Sequence, residues 1–224
     1  MPFVMFMLTV LSFMLMGKIY SEYRTPVLTP VLTTVVLLVS VLLVFDIPYD
    51  TYMEGAVWID KMLGPAVVAL AYPMYRQRAV LKKHFLPIVG SVVVGVVVAF
   101  GSGYAMAVSL GLERELLLTL LPKSLTTPIA VPVASEIGGI PSMAVAFTMI
   151  AGFTAILTSP LFFKYIPFKD MGKGIALGTA AHGLGTSKAI EYGEETVSMS
   201  SVAMSLAAII GSFFGPFFVW LLSI

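Results

Sequence analysis

Eight apolar stretches separated by short polar links run along the chain, at about 3–20, 26–45, 56–75, 86–110, 115–135, 141–163, 174–192 and 199–222. A helix needs roughly 20 apolar residues to cross a hydrocarbon core about 30 Å thick, so each stretch is close to the length of one span. The first, second, fourth, sixth and eighth are continuous. The fourth carries a valine run (Val92, Val93, Val94, Val96, Val97 and Val98) that would favour a strand in water. At this length and hydrophobicity it predicts a lipid-facing helix, because an open sheet edge has no place in hydrocarbon. The third, fifth and seventh stretches are interrupted by Gly, Pro, Thr and charge. Gly64 and Pro65 break the third, Pro122 and Pro128 flank a polar tip in the fifth, and Gly183 and Gly185 loosen the seventh. These three predict broken or re-entrant helices.

Composition then fixes the class. Of 224 residues, 58% are apolar and 11% charged, against about 45–50% and about 25% in a soluble domain. A soluble enzyme, a disordered chain and a disulfide scaffold are excluded. The prediction is an all-α polytopic membrane protein, a single integral membrane domain over 1–224 with seven or eight transmembrane segments. The stretch from Pro2 to Met16 lacks a basic flank and a small-residue cleavage site, so it reads as a span and not a signal peptide. A net charge of +1 leaves no basic face for nucleic acid. The absence of Cys removes thiolate chemistry.

Charge in the links sets orientation, since Lys and Arg collect on the cytoplasmic side. The link 18–25 has Lys18 and Arg24, 46–55 is acidic, 76–85 has Arg76, Arg78, Lys82 and Lys83, and 110–115 has Glu113 and Glu115 around Arg114. The N-terminus is therefore expected outside and 76–85 inside. Past residue 115 a simple count fails. If the fifth and sixth stretches both crossed, the basic link with Lys164, Lys169 and Lys173 would lie outside. The conflict disappears if the fifth enters from outside and returns. The seventh either crosses as a broken helix or turns back as a second hairpin; the residues leave both open. A faint repeat pairs Leu63-Gly64-Pro65-Ala66 with Leu177-Gly178-Thr179-Ala180, dividing the chain into 1–112 and 113–224 as in two-repeat secondary transporters.

Irregular backbone at membrane depth survives where protein covers it or where it lines a wet cavity. Broken helix ends there present N–H groups and a positive dipole end, which favour an anion. Lys123 and Lys188 lie at the breaks of the fifth and seventh stretches, and a charge at mid-membrane costs about 2.5–3.5 kcal/mol, so each needs a partner or a task. Lys123 either faces a ligand, snorkels to an interface or neutralises Glu136; Lys188 either serves the site or snorkels. His182 is a packing residue, a ligand contact or a proton relay. Ser124, Thr126, Thr127, Thr179, Thr186 and Ser187 offer hydroxyls, each alone equally suited to back-bonding within a helix. Gly138 and Gly139 before Pro141 read as a tight turn. No nucleophile with a base and oxyanion motif, no mid-span Asp pair and no metal-ligand spacing is present, so no enzyme is expected.

Several stretches together resemble the LrgB/CidB family of bacterial membrane proteins. They are Leu63-Gly64-Pro65-Ala66-Val67-Val68-Ala69-Leu70, Leu121-Pro122-Lys123-Ser124-Leu125-Thr126-Thr127-Pro128-Ile129-Ala130, Ile137-Gly138-Gly139-Ile140-Pro141, and Gly174 to Thr179 running on to His182 and Gly185-Thr186-Ser187-Lys188-Ala189. Their order and spacing fit over essentially the whole chain. Two departures stand out: Thr29 precedes Pro30 where the family pattern has Asn, and Ala181 precedes His182 where it often has Ser. The resemblance implies two functions. Family members are labelled holin-like or antiholin-like, act beside a small LrgA/CidA-type membrane partner, and are linked to control of murein hydrolase activity and lysis. Related proteins carry small monocarboxylates, among them a plastid glycolate/glycerate translocator and bacterial pyruvate uptake systems.

The residues favour the carrier. A holin-like pore needs no buried Lys, no His and no facing broken helices, whereas a small hydroxy- or oxo-acid anion needs a cation, N–H groups and hydroxyls. The expected function is secondary transport of a glycolate-, glycerate-, pyruvate- or lactate-like anion in the bacterial cell membrane. The site is expected among the third, fifth and seventh stretches, with Lys123 or Lys188 on the carboxylate and Ser124, Thr126, Thr127 and Thr186 as donors. His182 is expected to carry a coupled proton or shape the pocket. No cofactor or metal is expected beyond a coupling H+ or Na+, and a homodimer is the expected assembly.

Overall fold

In a computed structural model of the protein, residues 2–23, 25, 28–69 and 71–224 are described. Arg24, Pro26, Val27 and Leu70, used above for the first basic link, the start of the second stretch and the end of one motif, lie outside them. The regular elements among the described residues are helical, in two compact units, 1–66 and 67–224. The first unit holds α1 (Pro2–Tyr23), α2 (Pro30–Val44) and α3 (Tyr49–Asp60), with α4 (Leu63–Ala69) running across the boundary. Gly55 of α3 lies against the Pro2 carbonyl and Met5, where a side chain would collide. The hydroxyls of Thr9 and Tyr52 pair at 3.0 Å beside that contact.

The second unit continues with the short α5 (Ala71–Arg76) and α6 (Arg78–Lys83), then α7 (Phe85–Ser109), the 25-residue valine-rich helix. Gly111, at φ 62, ends it. The Leu112 N–H reaches back to the Ala107 carbonyl and the Gly111 N–H to that of Val108, the reversal that a left-handed glycine permits. After α8 (Arg114–Leu120), a 3-10 turn over Leu121–Ser124 and α9 (Thr127–Glu136) come α10 (Pro141–Tyr165), α11 (Asp170–Ala189) and α12 (Glu194–Leu222). Among the described residues four helices, α1, α7, α10 and α12, are long and apolar enough to cross a membrane, and α2 is a shorter apolar helix. The eight apolar stretches are thus not eight straight spans. The third is divided among α3, α4 and α5, and the fifth and seventh turn back on themselves.

The fifth stretch reverses between two prolines. Pro122 opens the 3-10 turn and Pro128 opens α9, both at positions where a missing N–H costs no helical bond. The return brings the far end of α9 to the last turn of α8: the Ile140 N–H donates to Thr119 Oγ1 at 2.7 Å, and Gly139 lies against the Thr119 main chain. Gly138, at φ 89, closes α9 just before that contact. So 114–139 doubles back, with Lys123 at its tip and Gly139 returning to Thr119.

The seventh stretch makes a second hairpin, and its turn is His182, at φ 44 and ψ −125. In a straight helix Leu177 and Gly185 would stand about 12 Å apart, yet Gly185 touches the Leu177 carbonyl and the Ala181 methyl. At the open end Tyr192 returns to the start of the stretch, with its ring 5.3 Å from Phe163 and under the Lys173 ammonium at 5.7 Å. Both arms pack on α12. Gly174 and Gly178 meet the main chain at Thr196 and Ser200, while Thr186 on the returning arm pairs with Ser200 Oγ at 2.9 Å. Gly174 and Gly178 are required on the first arm because a Cβ at either would enter α12 backbone.

α7 and α12 run in the same direction. Ile88 meets Met199 and Val202 near their first turns, and Phe100 stacks edge-on to Phe214 at 5.4 Å near their last. The hairpins approach from opposite ends of this pair: the first lays Leu125 and Val133 on Gly211 and Gly215, and the second lays Thr179 on Gly95.

Candidate functional site

The first hairpin delivers Lys123 to the side of α7. Its ammonium donates to the Ala99 carbonyl at 2.8 Å and to Ser102 Oγ at 3.3 Å, and Gly103 leaves room for it, since a Cβ there would stand 3.3 Å from Nζ. The Ser102 hydroxyl also donates to the Ala99 carbonyl, at 3.0 Å, so Ala99, Ser102 and Lys123 form one small network. Among the described residues the ion pairs are Lys173–Asp170 and Lys188–Glu191, so Lys123 has no carboxylate, and Glu136 is exposed at the far end of α9. The alternative that Glu136 neutralises Lys123 is therefore set aside.

Beside this ammonium lies a cavity of about 1590 Å³, bounded by α7 and α10, with the first hairpin and α11 completing its wall. Lys123 and Ser124 line it from one hairpin and Thr179 from the other. Most of the remaining wall is apolar, with Val94, Val98, Phe147 and Ile150 representative. Val94, Val98 and Ile150 are themselves exposed, so the space is an open apolar groove with a few polar groups along it. A cation without a carboxylate in such a wall suits a single negative charge.

The other residues singled out in the sequence serve elsewhere. Thr126 and Thr127 sit half-buried at the start of α9, and the Thr126 carbonyl accepts the N–H groups of Ile129 and Ala130; neither residue lines the cavity. Thr186 donates to the His182 carbonyl at 3.0 Å and meets Ser200, holding the second hairpin to α12. Lys188 is buried, its ammonium 2.6 Å from Glu191 Oε2 near the open end of that hairpin. His182 is buried at the turn with Nε2 3.3 Å from the Thr148 carbonyl, which requires the Nε2 proton, and its ring packs on Gly152. Gly183 has open surroundings apart from Met204 Sδ at 3.9 Å, whereas Gly185 is the close contact described above. Gly64 and Pro65 lie exposed in α4, in the first unit.

Four participants escaped the sequence reading. The Ala99 carbonyl and Ser102 hold Lys123, and no residue type announces a main-chain acceptor. Gly95 receives the Thr179 methyl, and in a valine-rich helix a glycine was the available signal. Thr148 supplies the carbonyl that fixes His182.

A model of the LrgB-like family matches residues 9–221. The protein YxaC of Bacillus subtilis is 51% identical over 99% of this chain and 96% of its own length. YwbG of the same organism is 37% identical over 94% of both chains. The holin-like protein CidB of Staphylococcus aureus is 33% identical over 97% of this chain and 96% of its own. No solved structure matches.

Proposed function

The chain belongs to the LrgB-like family, and we propose that it is a secondary carrier of a small monocarboxylate anion in the bacterial plasma membrane. The observation that carries this reading is Lys123: an ammonium at the tip of a doubled-back segment, lining a large apolar cavity and paired to a main-chain carbonyl and a hydroxyl in place of a carboxylate. Lys123 is half-buried; a cation drawn out of water without a counter-charge is costly, and ligand charge offsets that cost. Ser124 stands beside it as a donor to the carboxylate. Thr126, Thr127, Thr186 and Lys188 support the hairpins in this reading and do not touch the ligand. His182 shapes the second turn, and coupling to H+ or Na+ resides in the transport cycle as a whole.

The membrane arrangement follows from charge. Gln77, whose amide donates to Ser198 Oγ at 2.9 Å, ties the basic 76–85 link to the start of α12. Lys164, Lys169 and Lys173 gather at the same end, which is the cytoplasmic one. α7 and α12 then rise from the cytoplasm, α10 descends, the 114–139 hairpin enters from outside and 170–192 from inside. Hairpin plus long helix occurs twice in opposite orientation, 114–165 and 170–222, the inverted pair that builds midplane sites in secondary transporters. This division replaces 1–112 and 113–224 as the repeat we propose.

The likeness to CidB, named a holin-like protein, supports a second reading: a regulator of lysis working through a small LrgA/CidA-type partner. Reconstituting the purified chain alone in liposomes separates the two. A carrier takes up labelled glycolate, lactate or pyruvate saturably, with a rate that responds to a proton or sodium gradient. Uptake absent alone and restored by the partner makes the chain half of a transporter, and silence in both conditions favours the regulator.

A further inference from the structure

We infer that Ser102 is the specificity residue of the groove, its oxygen accepting a hydrogen bond from the hydroxyl of a 2-hydroxy acid whose carboxylate faces Lys123. This rests on the carrier reading and adds the group that tells one small acid from another. Gly95, Val98, Ala99, Ser102 and Met106 line the groove from α7 at helical spacing, so they form one stripe along it. Ser102 is exposed on that stripe, within reach of anything that sits beside Lys123. Ser109 and Ser212 make the same bond to a carbonyl three residues back, at Met106 and Ile209, but stand off the groove. Ser102 differs from them in lying 3.3 Å from the Lys123 ammonium.

Counting hydrogen bonds decides what Ser102 can read. A serine hydroxyl has one proton and two lone pairs, and an ammonium has three N–H groups. Among the described residues, the Ser102 proton goes to the Ala99 carbonyl at 3.0 Å, and one lone pair takes Lys123. One lone pair is left. Lys123 spends one N–H on Ala99 and one on Ser102, and keeps the third. A donor on Nζ and an acceptor on Oγ therefore stand 3.3 Å apart on the same wall.

A 2-hydroxy acid presents the matching pair on adjacent carbons: a carboxylate oxygen that accepts and a hydroxyl that donates. A 2-oxo acid sets its keto lone pairs against the lone pair of Ser102. Turning the serine hydroxyl round to donate to that keto oxygen would give up the Ala99 bond. An unsubstituted acid brings only C–H to the same place. The network that steadies Lys123 thus also fixes which way the Ser102 oxygen faces, and with it the preference for a donor.

The test measures binding of lactate and pyruvate, which differ in this one group, to the purified full chain. The readout is the ligand-dependent shift of its melting temperature, in wild type, Ser102→Ala and Ser102→Thr. Wild type is expected to prefer lactate. Ser102→Ala should lower the ratio of lactate to pyruvate affinity about tenfold, as one lost hydrogen bond implies. Ser102→Thr, which keeps the hydroxyl, should retain the wild-type ratio. A serine that only holds Lys123 in place would weaken both acids alike. An unchanged ratio in Ser102→Ala, loss of both acids together, or a wild type without preference for lactate overturns the role of Ser102 while leaving the carrier standing. Binding of neither acid by the wild-type chain overturns both readings.

Discussion

Replacing Gly185 with Ala tests the second hairpin where its geometry is tightest. An added methyl would meet the Leu177 carbonyl, with its carbon at 2.7 Å, and the Ala181 Cβ at 2.8 Å. Overpacking costs about 1–3 kcal/mol when side chains can give way. Here the obstacle is main chain within the opposite arm, so about 3 kcal/mol is the working value. At roughly 2–4 °C per kcal/mol for a chain of this size, the melting temperature should fall by about 6–12 °C. Gly183→Ala is the control: two residues away, it meets only Met204 Sδ at 3.9 Å, an ordinary contact, and should melt within about 2 °C of wild type. Thermal unfolding of both variants in detergent, followed by fluorescence-detected size exclusion, gives the comparison. Equal melting temperatures for the two would refute the doubling back of 170–192, since an extended helix would keep residue 185 far from Leu177.

Other expectations concern the same elements. Thr119→Val leaves the Ile140 N–H without its 2.7 Å acceptor and should destabilise the chain by about 1–3 kcal/mol in the same melt; no change would remove that bond from the first hairpin. Glu191→Gln strips the buried Lys188 of its charge partner, so it should lower the melting temperature, and adding Lys188→Met should restore much of the loss, because methionine removes the buried charge left uncompensated. The chain has no Cys, so single cysteines report sidedness directly. Glu113→Cys and Glu136→Cys should react with an impermeant maleimide from one side, and Phe168→Cys and Glu194→Cys from the other. Glu113 and Glu136 reacting from opposite sides would mean that the fifth stretch crosses.

How much of this was legible in the sequence differs between the two hairpins. For the first, Pro122 and Pro128 marked the reversal, and the misplaced basic link at Lys164, Lys169 and Lys173 demanded it; local chemistry and charge pointed the same way. For the second, Gly183 and Gly185 marked the loosened point, and the turn fell on His182 just before them. A non-glycine residue at positive φ costs about 1–3 kcal/mol and is held by its surroundings. Here the Thr148 carbonyl and the bare face of Gly152 hold it, both contributed by α10 and invisible to any local pattern. The Val run of α7 was read correctly because length settles helix against strand in hydrocarbon.

The site was half legible for a similar reason. Lys123 stood out because a cation at a helix break is expensive, whatever the fold. Thr126, Thr127 and Thr186 were indistinguishable by residue type from Ser124 and Thr179, and only the packing of α12 and α7 sorts them into scaffold and cavity. Lys188 is instructive in another way. Its partner Glu191 lies three residues on, a spacing readable as an ion pair on one turn, yet the surrounding glycines drew attention to a ligand.

Counterflow in proteoliposomes tests the central claim most directly. Vesicles holding the purified chain are loaded with unlabelled glycolate, diluted into a trace of labelled glycolate, and compared with vesicles holding Lys123→Ala, with folding checked by size exclusion. The account predicts transient accumulation of label above equilibrium in wild type and none in the folded variant. Label that only leaks to equilibrium in both, unsaturable and shared by unrelated solutes, would contradict it.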